Sequence, residues 1–162
     1  MRSLGAAFQT KTIDVDGTPV KCQFWDLAGQ ERCKTITPSF YKGVSGVILT
    51  YAVDSKESFD KIETWMAQAM KDCGQDACKI LIGNKTDRPR QVSTDEGEKK
   101  AECYKIKFFE TSAELGENVD QAFKEFIRDI KVNILDKSDT TLNIRLANQE
   151  RNNNNQRSGC CS

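Results

Sequence analysis

The chain has 162 residues, with 24 Lys plus Arg against 24 Asp plus Glu, so its formal net charge is zero and no global basic field argues for a nucleic-acid partner. It contains no histidine, which excludes a Ser-His-Asp triad, a Cys-His dyad and any His-ligated metal site. The length suits one domain, 38% hydrophobic and 30% charged residues are an ordinary globular balance, and no apolar run approaches the ~18 residues of a membrane span.

Residues 8 to 25 predict a β-hairpin. Phe8 to Ile13 is β-rich, Asp16-Gly17 is a two-residue turn signal, and Val20, Cys22 and Phe24 alternate with Lys21 and Gln23. Residues 44 to 53 and Cys78 to Ile82 are nearly continuous apolar runs, the pattern of parallel strands covered on both faces. Between them Phe59, Ile62, Met66, Ala69, Met70 and Cys73 recur at helical spacing, with Asp54 or Ser55 as the cap. Ser93-Thr-Asp-Glu96 is a capping box opening another helix. Lys107 to Glu110 reads as a short strand. Val119, Phe123, Phe126, Ile127, Ile130 and Ile134 mark a last amphipathic helix. The alternation predicts an α/β domain with a mostly parallel sheet.

Composition shifts after about Asp136. The segment 137–162 is polar, contains four consecutive asparagines from Asn152 to Asn155, and has too few apolar residues to pack, so a domain over 1–136 and a disordered tail over 137–162 are expected. Seven cysteines without a secretory signal at the N-terminus suggest a reducing compartment. Cys22, Cys33, Cys73, Cys78 and Cys103 lack an organised ligand spacing. Buried core thiols are the expected role for most of them, and a thiol or metal protein is a remote alternative.

Asn84-Lys85-Thr86-Asp87 follows the apolar run 78–82. In an α/β sheet, ligands sit outside the carboxyl ends of strands. An aspartate there can accept two hydrogen bonds from the N1-H and N2-H2 edge of guanine, an edge adenine lacks. The Lys85 stem can cover base or ribose, and Asn84 can tie the loop down. The same four residues could equally be a polar strand-to-helix turn. Thr111-Ser112-Ala113 follows the next strand, where small residues let a backbone amide approach a base carbonyl. Asp26-Leu-Ala-Gly29-Gln30-Glu31 leaves the hairpin. There Asp26 can hold Mg2+ through water, the Gly29 amide can reach a γ-phosphate, and Gln30 can orient an attacking water; the plain alternative is a solvated turn.

Together these motifs, with Leu4 to Phe8, Lys21 to Trp25, Arg32 to Thr37, Phe40 to Val44 and Leu49 to Val53, resemble the Rab family of Ras-superfamily small GTPases. The resemblance runs from Ser3 to about Asp136. It implies a P-loop-NTPase-like small G domain acting as a GTP/GDP switch with Mg2+ in vesicle-mediated traffic, on the cytoplasmic face of endomembranes. It implies guanine contacts by Asn84, Lys85, Asp87, Ser112, Ala113 and Glu114, the last standing where the family has Lys. It implies phosphate and magnesium roles for Asp26, Gly29 and Ser3, and the catalytic water for Gln30. Phe8, Trp25 and Phe40 match an aromatic triad of the family's effector surface, a role compatible with core packing. The ending Gly159-Cys160-Cys161-Ser162 is similar to tails carrying geranylgeranyl on both Cys160 and Cys161. Two chains make physical sense, because one lipid at ~0.8 kcal/mol per buried CH2 anchors only marginally. The implied partners are effectors, exchange and activating factors and the prenylation machinery.

The 162 residues contain no G-x4-G-K-S/T segment. By the resemblance, the first strand, P-loop and first helix, about 35–40 residues, would precede Ser3. A start upstream of Met1 or an evolved deletion would both account for this. Without those residues weak phosphate binding and an unfilled, aggregation-prone gap in the sheet are expected. The competing expectation is a prenylated, non-catalytic interaction protein that binds no nucleotide.

Overall fold

The computed structural model describes residues 6–27, 41–73 and 76–134. Two compact units divide the chain, Met1–Ile130 and Lys131–Ser162. The expected tail boundary at Asp136 lies outside the described residues.

The hairpin pairs β1 (Ala6–Val15) with β2 (Thr18–Leu27) in an antiparallel register that sets Phe8 opposite Trp25 and Val15 opposite Thr18. Asp16 and Gly17 both take positive φ, 55° and 75°, as a two-residue turn matched to strand twist requires. The Gly17 amide donates to Asp14 Oδ1 at 3.0 Å.

A second sheet follows, with β3 (Gly46–Ala52), β4 (Cys78–Asn84) and β5 (Lys107–Thr111) parallel in the order β3-β4-β5. Among the described residues hairpin and parallel strands form two separate sheets. The helix expected after β3 is two: α1 (Lys56–Asp60), capped by the Ser55 hydroxyl, and α2 (Ile62–Asp72), joined through Lys61. Next comes α3 (Thr94–Tyr104), whose capping box forms in both directions: the Ser93 amide donates to Glu96 Oε2 at 2.9 Å and the Glu96 amide to Ser93 Oγ at 3.3 Å. Residues 119–134 are helical (α4).

Strand alternation sorts the core onto two faces. Leu49, Tyr51, Val53 and Leu81 pack with Phe59, Ile62, Met66, Val92 and Ala101. Ile80 and Ile82 pack on the other face with Ala122 and Phe126 of α4. Helices thus cover both faces, as the apolar runs require. Met70, grouped with the buried stripe by spacing, is 64% exposed. The face that buries is Phe59, Ile62, Met66, Ala69 and Cys73, and Met70 stands about 100° round the helix from Ala69. Ile134 is also exposed. Cys73 is a buried thiol, Cys22 and Cys78 are half-buried, and Cys103 is exposed rather than in the core; Cys33 lies outside the described residues.

Two contacts hold the hairpin against α4. Arg128 donates from Nε to Asp16 Oδ2 at 2.8 Å and from Nη2 to Asp16 Oδ1 at 2.7 Å. Phe24 meets Phe123 edge-on at 5.6 Å between ring centres.

Candidate nucleotide-binding site

Parallel pairing places Asn84, the last residue of β4, beside Thr111, the last of β5, and beside Ala52 at the end of β3. Three strand ends therefore open into one crevice, where ligands of α/β sheets bind. Asn84 Oδ1 accepts from the Ala113 amide at 3.1 Å and from Thr111 Oγ1 at 3.2 Å. The Thr86 amide donates to the Thr111 carbonyl at 3.2 Å. The loops after β4 and β5 are thereby fastened together at their bases.

Asp87 is set by its neighbour across the crevice. The fully buried Ser112 hydroxyl donates to Asp87 Oδ1 at 2.5 Å and accepts from the Leu115 amide at 3.1 Å. The bond from Ser112 holds the Asp87 carboxyl below the usual carboxylate range against a smaller opposing desolvation. The group is therefore ionised at neutral pH and can only accept hydrogen bonds. Lys85 turns the loop with φ 68°. Its ammonium lies 3.8 Å and the Arg88 guanidinium 3.4 Å from the Asp54 carboxylate just after β3.

The loop after β5 is closed by reciprocal backbone bonds of 3.1 and 3.0 Å between Ser112 and Glu117. Ala113 and Glu114 are exposed at its start. The Ala113 amide is engaged by Asn84 in this arrangement, although the small-residue argument aimed it at a base carbonyl. The acceptor arrangement fits the donor edge of guanine: an ionised, oriented carboxylate on a braced loop, beside an exposed turn that opens with a small residue.

The structure thus brings Asn84, Lys85, Asp87, Ser112, Ala113 and Glu114 together. Asp26 is exposed, one residue from the end of β2. Ser3, Gly29 and Gln30 lie outside the described residues, as do Phe40, Cys160 and Cys161. Of the phosphate and magnesium set Asp26 alone is described. Phe8 and Trp25 form a cross-strand pair with ring centres 4.7 Å apart, 47% and 51% exposed. Sequence reasoning gave no site role to Asp54, Arg90 or Glu110, which belong to none of the motifs. Glu110 alone adjoins a motif, directly preceding Thr111.

The family model described as Ras family matches residues 1–132. The chain is 40% identical over 171 residues to Ras-related protein RABE1e of Arabidopsis thaliana, covering 99% of this chain and 78% of that protein. It is 43% identical over 136 residues to GTP-binding protein ypt2 of Schizosaccharomyces pombe, covering 83% and 68%. With Ras-related protein Rab-8A of Bos taurus it shares 44% identity over 131 residues, or 80% of this chain and 63% of that one. The chain belongs to the Rab small GTPases of the Ras family. The small-G-domain fold expected from the sequence is therefore shown, with the three parallel strands as its described sheet. Rab proteins bind GTP and GDP with Mg2+, work with effectors and with exchange and activating factors, and associate with endomembranes. Among the described residues no helix is long and apolar enough to cross a membrane.

Proposed function

We propose that this Rab-family chain is a guanine-nucleotide switch for vesicle-mediated traffic. The observation that carries the reading is the Asp87 carboxylate, ionised and held by Ser112 where β4 and β5 end together. Asp87 accepts from N1-H and N2-H2 of guanine, and the Lys85 stem covers the base or ribose. Asp26, Gly29 and Ser3 attend Mg2+ and the γ-phosphate, and Gln30 orients the attacking water. Bound Mg2+ supplies positive charge to the transferring phosphoryl group. Cys160 and Cys161 carry geranylgeranyl groups added by prenylation enzymes, and the lipids hold the chain on the cytoplasmic face of endomembranes. The exposed Phe8–Trp25 pair presents the effector surface.

A second reading is a prenylated protein that presents this surface without nucleotide. It is favoured by the exposed Phe8–Trp25 pair, which offers aromatic area to a partner whether or not nucleotide is bound. Competition titration of a fluorescent GDP analogue on the purified full chain separates the two. The switch reading expects GDP to outcompete ADP by at least about 100-fold, the worth of two charge-assisted hydrogen bonds, and Asp87→Ala to erase that preference. No binding at millimolar GDP would overturn the switch reading.

A further inference from the structure

Residues 85–92 connect β4 to the Ser93 cap of α3, and Asp87 rides on this loop. Its first half is fastened through Thr86 to Thr111 at the end of β5 and through Asp87 to Ser112 just after it. Its last residues are fastened just beyond β3, with the Gln91 and Val92 amides donating to the Val53 carbonyl at 2.8 and 3.1 Å. Between these points Arg90 makes a fork-to-fork pair with Glu110, Nη1 to Oε1 at 2.6 Å and Nη2 to Oε2 at 2.8 Å. Such planar, two-bonded pairs fix orientation as well as distance. Glu110 is a junction. Its Oε2 also accepts from Thr94 Oγ1, at the first turn of α3, at 3.2 Å. Its carbonyl accepts from Asn118 Nδ2 at 2.7 Å. It directly precedes Thr111 and Ser112, which hold Asn84 and Asp87.

We propose that Arg90 and Glu110 are positioning residues that hold the Asp87 loop in register with Ser112 and so set how strictly the site distinguishes guanine from a purine lacking the 2-amino group. This rests on the reading of Asp87 as the guanine acceptor. A loop fixed at its ends but released in the middle keeps one hydrogen bond to a base more easily than two in parallel. Loss of the pair should therefore weaken GDP more than IDP, whose hypoxanthine lacks the second donor.

The test uses the purified full chain with Arg90→Gln, Arg90→Lys and the exchanged pair Arg90→Glu with Glu110→Arg. Amide hydrogen exchange is read over 85–92, with 8–25 as internal reference, and the GDP-to-IDP affinity ratio is measured alongside. Arg90→Gln is expected to speed exchange at 85–92 about tenfold or more with the hairpin unchanged, and to cut the GDP-to-IDP ratio about fivefold or more. Arg90→Lys, which keeps the charge but not the fork, should fall between, and the exchanged pair should restore both readouts. A uniform rise in exchange with an unchanged ratio would make the pair merely structural and overturn the proposal. If the wild-type chain binds neither nucleotide, the guanine reading fails and the specificity role with it. Faster exchange confined to 85–92 would then still assign the pair to holding the loop, and unchanged exchange would remove that role too.

Discussion

Ser112 has no exposed surface, whereas Trp25 keeps half of its own, and the contrast holds for the regions around them. At the crevice, Thr111 and Ser112 are buried, and the bonds that join the two loops link residues 25 to 29 positions apart. In the hairpin, register comes from a two-residue turn, the aromatic pair lies in solvent, and attachment to the body runs through Arg128–Asp16 and Phe24–Phe123. A base-recognition site gains from rigidity, because the acceptor geometry must exist before the base arrives. A docking surface gains from exposed aromatic area that a partner can cover.

If the contrast is real, truncation should separate the regions most sharply. Leu81→Ala, at a position with no exposed surface in β4, should cost about 2–5 kcal/mol. Phe8→Ala in the hairpin should cost well under about 1 kcal/mol. Denaturant unfolding of both variants checks this, and equal losses would break the comparison.

A sharper probe is Tyr51. Its ring is buried, and its hydroxyl has no hydrogen-bond partner among the described residues. It lies so close to Gly97 that a Cβ there would come within 2.5 Å. Removing an unsatisfied buried hydroxyl should be neutral or stabilise by about 1 kcal/mol, so Tyr51→Phe should not lower Tm. Burial, with a smaller push from Glu110, also raises the Tyr51 phenol to about 12. A raised folded pKa means stability that is full below the unfolded value near 10 and lost as pH climbs toward 12. The Phe variant should flatten that alkaline limb, and an unchanged limb would refute the assignment.

Loosening the hairpin should be milder. Arg128→Gln removes both bonds to Asp16 and the ion pair to Glu125. Exchange should rise at the turn around Asp16 and stay unchanged at 80–84, and the difference should shrink in high salt. A matching rise at 80–84 would mean the two regions unfold as one unit.

The smallest effect at neutral pH belongs to Glu96. Bonds from Lys56 and from the Ser93 amide and hydroxyl hold its carboxyl at about 2. A depressed folded pKa gives stability that is present above the unfolded value near 4.5 and lost as pH falls toward 2. Glu96→Gln should therefore blunt acid unfolding in that window, and an unaltered acid limb would argue against this cap. The parallel sheet should show the effect through α3, and the hairpin should not.

Much of this was legible in the residues themselves. Asp16-Gly17 marked the turn, Ser93 and Glu96 marked the start of α3, and the runs at 44–53 and 78–82 marked two parallel strands. The motif residues at strand ends were legible because Asn, Asp, Ser and Gly carry their chemistry in type and spacing. The helix break at Lys61 and the exposure of Met70 were not. Each depends on which part of a broad apolar stripe meets the sheet, and spacing alone leaves that open by about one residue.

The sequence by itself determined the elements, their order and the residue types at each strand end, since turns, caps and alternation act over two to four residues. Only the tertiary structure decided which of those ends meet. Parallel pairing set Asn84 beside Thr111, and that register alone delivers Ser112 to Asp87 and Glu110 to Arg90. The hairpin reached α4 through a pair of residues 112 positions apart. Such contacts follow from how whole faces pack, because the side chains involved have no local pattern that could announce a partner so far along the chain.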